Sequence, residues 1–87
     1  MKPYRIKHVP TGLYYKPGEV NLSKNGKVYM TGTSALSTYT HAIQVHVRKD
    51  SKIHKSTEDK IAWKPAYHSS WFVSARIPIE QFVKEEI

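Results

Sequence analysis

Five histidines, fourteen lysines and arginines and six tyrosines are the groups in this 87-residue chain best able to do chemistry. His8, His41, His46, His54 and His68 could hold a metal or move protons. His41 and His46 lie five apart at the entrance to a strand-like run, which puts them on opposite faces, and no Glu or Asp stands at ligand spacing to either. There is no cysteine, so thiolate zinc sites and disulfides are excluded. Nucleophilic catalysis lacks its parts, since there is no G-x-S-x-G elbow and no acid placed to orient a histidine. A metal-independent ribonuclease needs only His, Lys, Tyr or Glu converging on a phosphate, and this is the enzymatic alternative. Gly12, Gly18, Gly26 and Gly32 are isolated turn residues that match no phosphate-cradling loop. The expectation is a binding protein, not an enzyme, with no metal and no cofactor.

Charge carries the functional content. The formal balance is +7, and it is uneven: residues 1–55 hold ten Lys and Arg against Glu19 and Asp50, a balance of +8, whereas residues 56–87 come to −1. So many cations in a small fold repel one another, which points to a face made for a negatively charged partner. The candidate nucleic-acid contacts are Arg5, Lys7, Lys16, Lys24, Lys27, Tyr29, Arg48, Lys49, Lys52 and Lys55, with Tyr14 and Tyr39 interleaved. Lysine and arginine neutralise phosphates and release counterions, and exposed rings stack on unpaired bases, a pairing typical of single-strand binders. RNA offers unpaired bases more readily than genomic DNA does. The RNP signatures of an RRM, the GXXG of a KH domain and zinc knuckles are all absent. A basic face gripping an acidic surface of a host protein is the alternative from a different class.

The elements that would position these residues follow from the apolar pattern. Tyr4, Ile6 and His8 alternate with Arg5, Lys7 and Val9 as in a half-exposed strand. Pro10-Thr11-Gly12 supplies a turn, and Leu13-Tyr14-Tyr15 restarts the sheet, so the first seventeen residues read as a hairpin. Asn25-Gly26 reads as a two-residue type I′ turn within NLSKNGKVY, leading to a strand with Val28 and Met30 inward and Lys27 and Tyr29 outward. Residues 31–40, rich in Thr, Ser and Gly, read as a loop. Ala42–Arg48 is the clearest amphipathic strand, with Ile43, Val45 and Val47 inward and Gln44, His46 and Arg48 outward.

Residues 49–60 are almost wholly polar and read as a loop, or as one helical turn capped by Ser56 and Asp59. Trp71, Val73, Ala75 and Ile77 share one face of a last strand. Pro78 then suits a first helical turn, and Ile79, Phe82, Val83 and Ile87 recur at helical spacing. The expected fold is α+β: one domain spanning 1–87, a small twisted antiparallel β-sheet with a short C-terminal helix. The N-terminal decapeptide MKPYRIKHVP lacks the apolar core of a signal peptide, and no stretch is long and apolar enough for a membrane span, so a soluble cytosolic protein is expected.

The segments KHVPTGLYYKP (Lys7–Pro17) and NLSKNGKVY (Asn21–Tyr29) together resemble a pattern in short, basic proteins of T4-like tailed phages, over about the first third of the chain. Among such proteins, the inhibitors of ToxN-type toxin endoribonucleases are similar in size, charge and source; they bind RNA and occupy the toxin together with it. The resemblance implies a phage-encoded protein acting in the host bacterial cytoplasm, binding RNA or single-stranded nucleic acid, with a host toxin nuclease as a further partner in counter-defence. It assigns no role to any single residue.

Overall fold

The computed structural model describes residues 3–30, 41–66 and 70–87. The expected loop at 31–40, with Tyr39, and His68 lie outside them. The order of elements is β1 (Tyr4–His8), β2 (Leu13–Tyr15), β3 (Leu22–Ser23), β4 (Ala42–Arg48), α1 (Lys52–Thr57), β5 (Lys64–Pro65), β6 (Phe72–Pro78), a 3₁₀ turn (Ile79–Gln81) and β7 (Phe82–Glu86). They make two antiparallel sheets, β3-β2-β1-β7 and β4-β6-β5.

Two alternating strands dictate the second sheet. Ile43, Val45 and Val47 of β4 are buried, as are Val73, Ala75 and Ile77 of β6, and seven residue pairs from Ala42↔Pro78 to Arg48↔Phe72 fix the register. Tyr4, Ile6, Tyr15, Leu22 and Phe82 of the first sheet join the same core with Ile61. Each such side chain removed from water contributes about 1.5–3 kcal/mol, so the fold is held by face-to-face burial between the sheets.

Asn21 stitches the sheets together. Its backbone N–H donates to the His46 carbonyl and its Oδ1 accepts from the His46 N–H, both at 2.9 Å, which satisfies the otherwise open edge of β4. Its Nδ2 donates to the carbonyls of Lys16 and Gly18, both at 3.0 Å.

The β1–β2 hairpin forms as expected, with Lys7 opposite Tyr14 and His8 opposite Leu13. Three expectations fail. There is no C-terminal helix: the fold is β-rich, Pro78 ends β6, the 3₁₀ turn reverses the chain, and β7 pairs with all five residues of β1. β2 pairs with β1 at only two positions, and the open edge on its other side needs a full-length partner more than residues 82–87 need a helix. The helical spacing was coincidental, since Phe82 is buried while Val83 and Ile87 are exposed.

The one helix among the described residues falls instead in the polar run. Ser51 is its N-cap, accepting from the His54 N–H at 3.2 Å, and Ile53 and Thr57 face inward at i and i+4. Thr57 takes the place an apolar residue would hold, which hid the period. Its hydroxyl donates to the Ile53 carbonyl at 2.6 Å and accepts from Trp63 Nε1–H at 2.8 Å.

The third failure concerns Asn25-Gly26. Only Gly26 of the pair takes a positive φ, +65°, and the flanking residues do not pair with each other. Leu22 and Ser23 join β2, while Tyr29 exchanges backbone hydrogen bonds with Tyr4 at 3.0 and 2.8 Å. Gly26 passes so close to β2 that a Cβ there would lie 2.3 Å from Tyr14 Cβ. The faces after it are therefore reversed: Val28 and Met30 are 42% and 65% exposed, and Tyr29 packs against the core.

Candidate nucleic-acid interface

The ten sequence-derived candidates separate into three places. Arg5 and Lys7 lie on the outer face of the first sheet with Tyr14 and Glu85, because alternation along β1 turns them away from Tyr4, Ile6 and His8. There Lys7 is answered by Glu85, while Arg5 meets only a ring and its buried Nε has no hydrogen-bond partner among the described residues. The Tyr14 hydroxyl donates to Glu85 Oε1 at 2.5 Å, Lys7 Nζ stands 3.4 Å from Glu85 Oε2, and the Arg5 guanidinium lies 5.3 Å from the centroid of the Tyr14 ring. The hydrogen bond from Tyr14, aided by Lys7, holds the Glu85 carboxyl below its ordinary value; the same bond raises the Tyr14 phenol.

Lys16, Lys24 and Lys27 occupy the connections around β3. Lys24 and Lys27 are exposed, and Lys27 Nζ sits 5.3 Å from the centre of the Tyr29 ring. Tyr29 itself stacks on Tyr4 with centroids 5.4 Å apart and planes 19° from parallel. The ring expected to meet a base is thus paired with a core residue.

Arg48, Lys49, Lys52 and Lys55 form the third group, at the corner where β4 runs into α1. Arg48 is the last residue of β4, Asp50 at φ +62° makes the bend, and Lys52 and Lys55 are exposed three apart on the helix, a spacing that places them side by side. None of these four cations has a carboxylate partner among the described residues. Trp71 belongs to the same corner: its carbonyl accepts from the Lys49 N–H at 2.9 Å, and its side chain is 72% exposed because it precedes β6 instead of opening it. The expectation that it shares one face with Val73, Ala75 and Ile77 fails, since they are buried and it is exposed.

The corner continues onto the outer face of the second sheet. The register sets Arg48 opposite Phe72, His46 opposite Ser74 with Lys64 on the other side of Ser74, and Gln44 opposite Arg76. Successive rows along a strand are about 6.7 Å apart. No acid lies on this face among the described residues. The Arg48 guanidinium stands 5.5 Å from the half-buried Phe72 ring, and Gln44, Lys64, Ser74 and Arg76 border a hollow of about 300 Å³ with Ala62 and Ala75. The sequence reading omitted Lys64, Phe72, Ser74 and Arg76; the period-2 alternation that assigned Val73, Ala75 and Ile77 inward was the signal that could have found the last three.

The described histidines do not assemble. His8 is fully buried in β1, between Thr11 Oγ1 and Gln81 Oε1 at 2.8 Å each, and burial pushes its pKa below the ordinary value against the smaller opposing effect of the Gln81 bond. His54 Nδ1 accepts from the Asp50 N–H at 2.9 Å and its ring meets Trp63 edge-on, while His46 lies on β4. Among the described residues no group of His, Asp and Glu could hold a metal ion, and no helix is long and apolar enough to cross a membrane. No protein-family model, no curated protein and no solved structure matches this chain.

Proposed function

We propose that this protein binds single-stranded nucleic acid, RNA in the first instance, through the β4–α1 corner and the outer face of the β4-β6-β5 sheet. The observation that carries the reading is that Arg48, Lys49, Lys52 and Lys55 gather where β4 runs into α1, with the exposed Trp71 at the same corner, while Lys64, Phe72 and Arg76 lie with Arg48 on a sheet face that holds no acid among the described residues. Cations without carboxylate partners are free to displace counterions from phosphates, and each base stacked on an aromatic ring contributes about 1–3 kcal/mol. A sheet face with a stacking ring suits unstacked bases and suits a duplex poorly. Binding of this kind needs no nucleophile or proton shuttle. As a phage protein in a bacterial cytoplasm it would meet transcripts and the nucleases that process them, which is the setting the resemblance implies.

Fluorescence anisotropy on a labelled single-stranded RNA, at two salt concentrations and beside the matching duplex, tests the proposal. The expected result is binding that weakens steeply with salt, prefers the single strand and drops about tenfold or more in W71A. Absent or salt-indifferent affinity refutes it. A host protein retained by the immobilised chain after nuclease treatment, with no RNA affinity, would establish protein contact instead.

A further inference from the structure

We infer that the hollow bordered by Gln44, Lys64, Ser74 and Arg76 is a phosphate site. Every polar side chain at its rim can donate: an ammonium, a guanidinium fork, a hydroxyl and a carboxamide N–H₂, which is the set a tetrahedral oxyanion accepts from. No carboxylate lines it, and neither Lys64 nor Arg76 has an acidic partner among the described residues. The contrast with Lys7, whose charge is answered by Glu85, is direct.

The backbone sets this arrangement. Ser74 and Arg76 are two apart on β6 and so point the same way, Lys64 is registered beside Ser74 and Gln44 beside Arg76. Two cations converging on one concave patch repel until an anion sits between them. At about 300 Å³ the hollow admits a phosphate with part of its sugar. The next row of the sheet holds Phe72 under Arg48, about 6.7 Å away, within reach of the adjoining base. That this phosphate belongs to a nucleic-acid strand rests on the reading proposed above; that the hollow takes phosphate does not.

Two measurements on the full chain separate these. Inorganic phosphate, titrated against chloride at matched ionic strength and followed by nitrogen–proton NMR, is expected to move the Gln44 side-chain amide and the Ser74 and Arg76 signals. The same titration should leave K64Q/R76Q unmoved. A single-stranded RNA without terminal phosphates is expected to bind K64Q/R76Q with a log–log salt slope lower by about 0.7, the value of one phosphate contact on a single strand.

Phosphate shifts in the wild type together with the reduced slope support the site and place an internal phosphodiester in it. Phosphate shifts without any RNA binding support a site for free or terminal phosphate and refute the nucleic-acid reading. RNA binding with an unaltered slope and no phosphate shifts overturns this inference and leaves the broader reading standing. Shifts matched by chloride also overturn it. Should K64Q/R76Q fail to fold, the wild-type titration against chloride still decides.

Discussion

Neutralising the β4–α1 corner should remove more than half of the electrostatic grip while leaving the fold intact. In K49Q/K52Q/K55Q each replaced lysine is exposed, its side chain makes no hydrogen bond or ion pair, and it gives way to a residue of nearly equal helix propensity. If Arg48, Lys49, Lys52 and Lys55 each meet one phosphate of a single strand and Lys64 and Arg76 share a fifth, the slope of log affinity against log salt is about −3.5. Affinity then falls about 130-fold between about 50 and 200 mM salt. The triple variant keeps two of those contacts, with a slope of about −1.4 and a loss of about 7-fold over the same range. The comparison protein is K24Q/K27Q, which removes two equally exposed cations from the β3 connection and should leave the slope within experimental error of the wild type. Anisotropy at five or more salt concentrations reads all three slopes. A slope unchanged in the triple variant but reduced in K24Q/K27Q would show that the wrong surface has been chosen, and thermal midpoints within about 3 °C confirm that neither set of substitutions disturbs the fold.

Three further predictions concern the framework. Because burial lowers the folded-state pKa of His8 below 6.5, the unfolded chain binds more protons in the window just under 6.5; stability is therefore full above that value and declines as pH falls from it toward the folded-state pKa. Urea unfolding between pH 7.5 and 5.5 should show a slope reaching at most about 1.4 kcal/mol per pH unit from this residue, and H8Q should lose that part; an identical pH dependence in H8Q refutes the assignment. G26A should cost about 3 kcal/mol, combining a left-handed φ with a Cβ 2.3 Å from Tyr14 Cβ, whereas G12A, at φ +73° in open space, should cost only about 1; equal losses would show that the close approach does not matter. N21A should destabilise by about 2–4 kcal/mol, since it removes three side-chain hydrogen bonds from a buried residue and leaves the His46 N–H without its acceptor; a loss below about 1 kcal/mol would mean that the sheets are held by apolar burial alone.

The parts of the fold that could be read from the chain are those where one periodicity was uncontested. β1, β4 and β6 alternate cleanly, and their inward residues are the core. The failures arose where a local signal competed with a distant partner. Residues 79–87 carry apolar residues at helical spacing, but β1, more than seventy positions earlier, offers an unpaired edge, and five residue pairs there outweigh a short helix whose apolar stripe would be thin. In the same way Asn25-Gly26 suits a tight hairpin, yet the chain on either side finds separate partners in Tyr15 and Tyr4, and what glycine supplies is clearance over Tyr14. From the sequence α1 reads as a loop, or as a turn capped by Ser56 and not by Ser51, because Thr57, satisfied by Ile53 and Trp63, sits where the pattern needs an apolar residue.

Charge read along the chain differs from charge read in space for a related reason. Counting along the chain treats every cation as equally available and every acid as local, so residues 1–55 look like the binding region and residues 56–87 look neutral. Folding trades between the two. Glu85, from the acidic third, answers Lys7 and takes a hydrogen bond from Tyr14, while Lys64 and Arg76, from that same third, keep their charges beside Arg48. The segment with the larger balance thus loses part of it on one face of the first sheet, and the segment with almost none contributes two cations to the opposite side of the molecule. Which cations can meet a polyanion is decided by strand pairing, a property of residues far apart in the chain. For that reason the proposed surface is drawn from the alternation of β4 and β6 and not from the charge total.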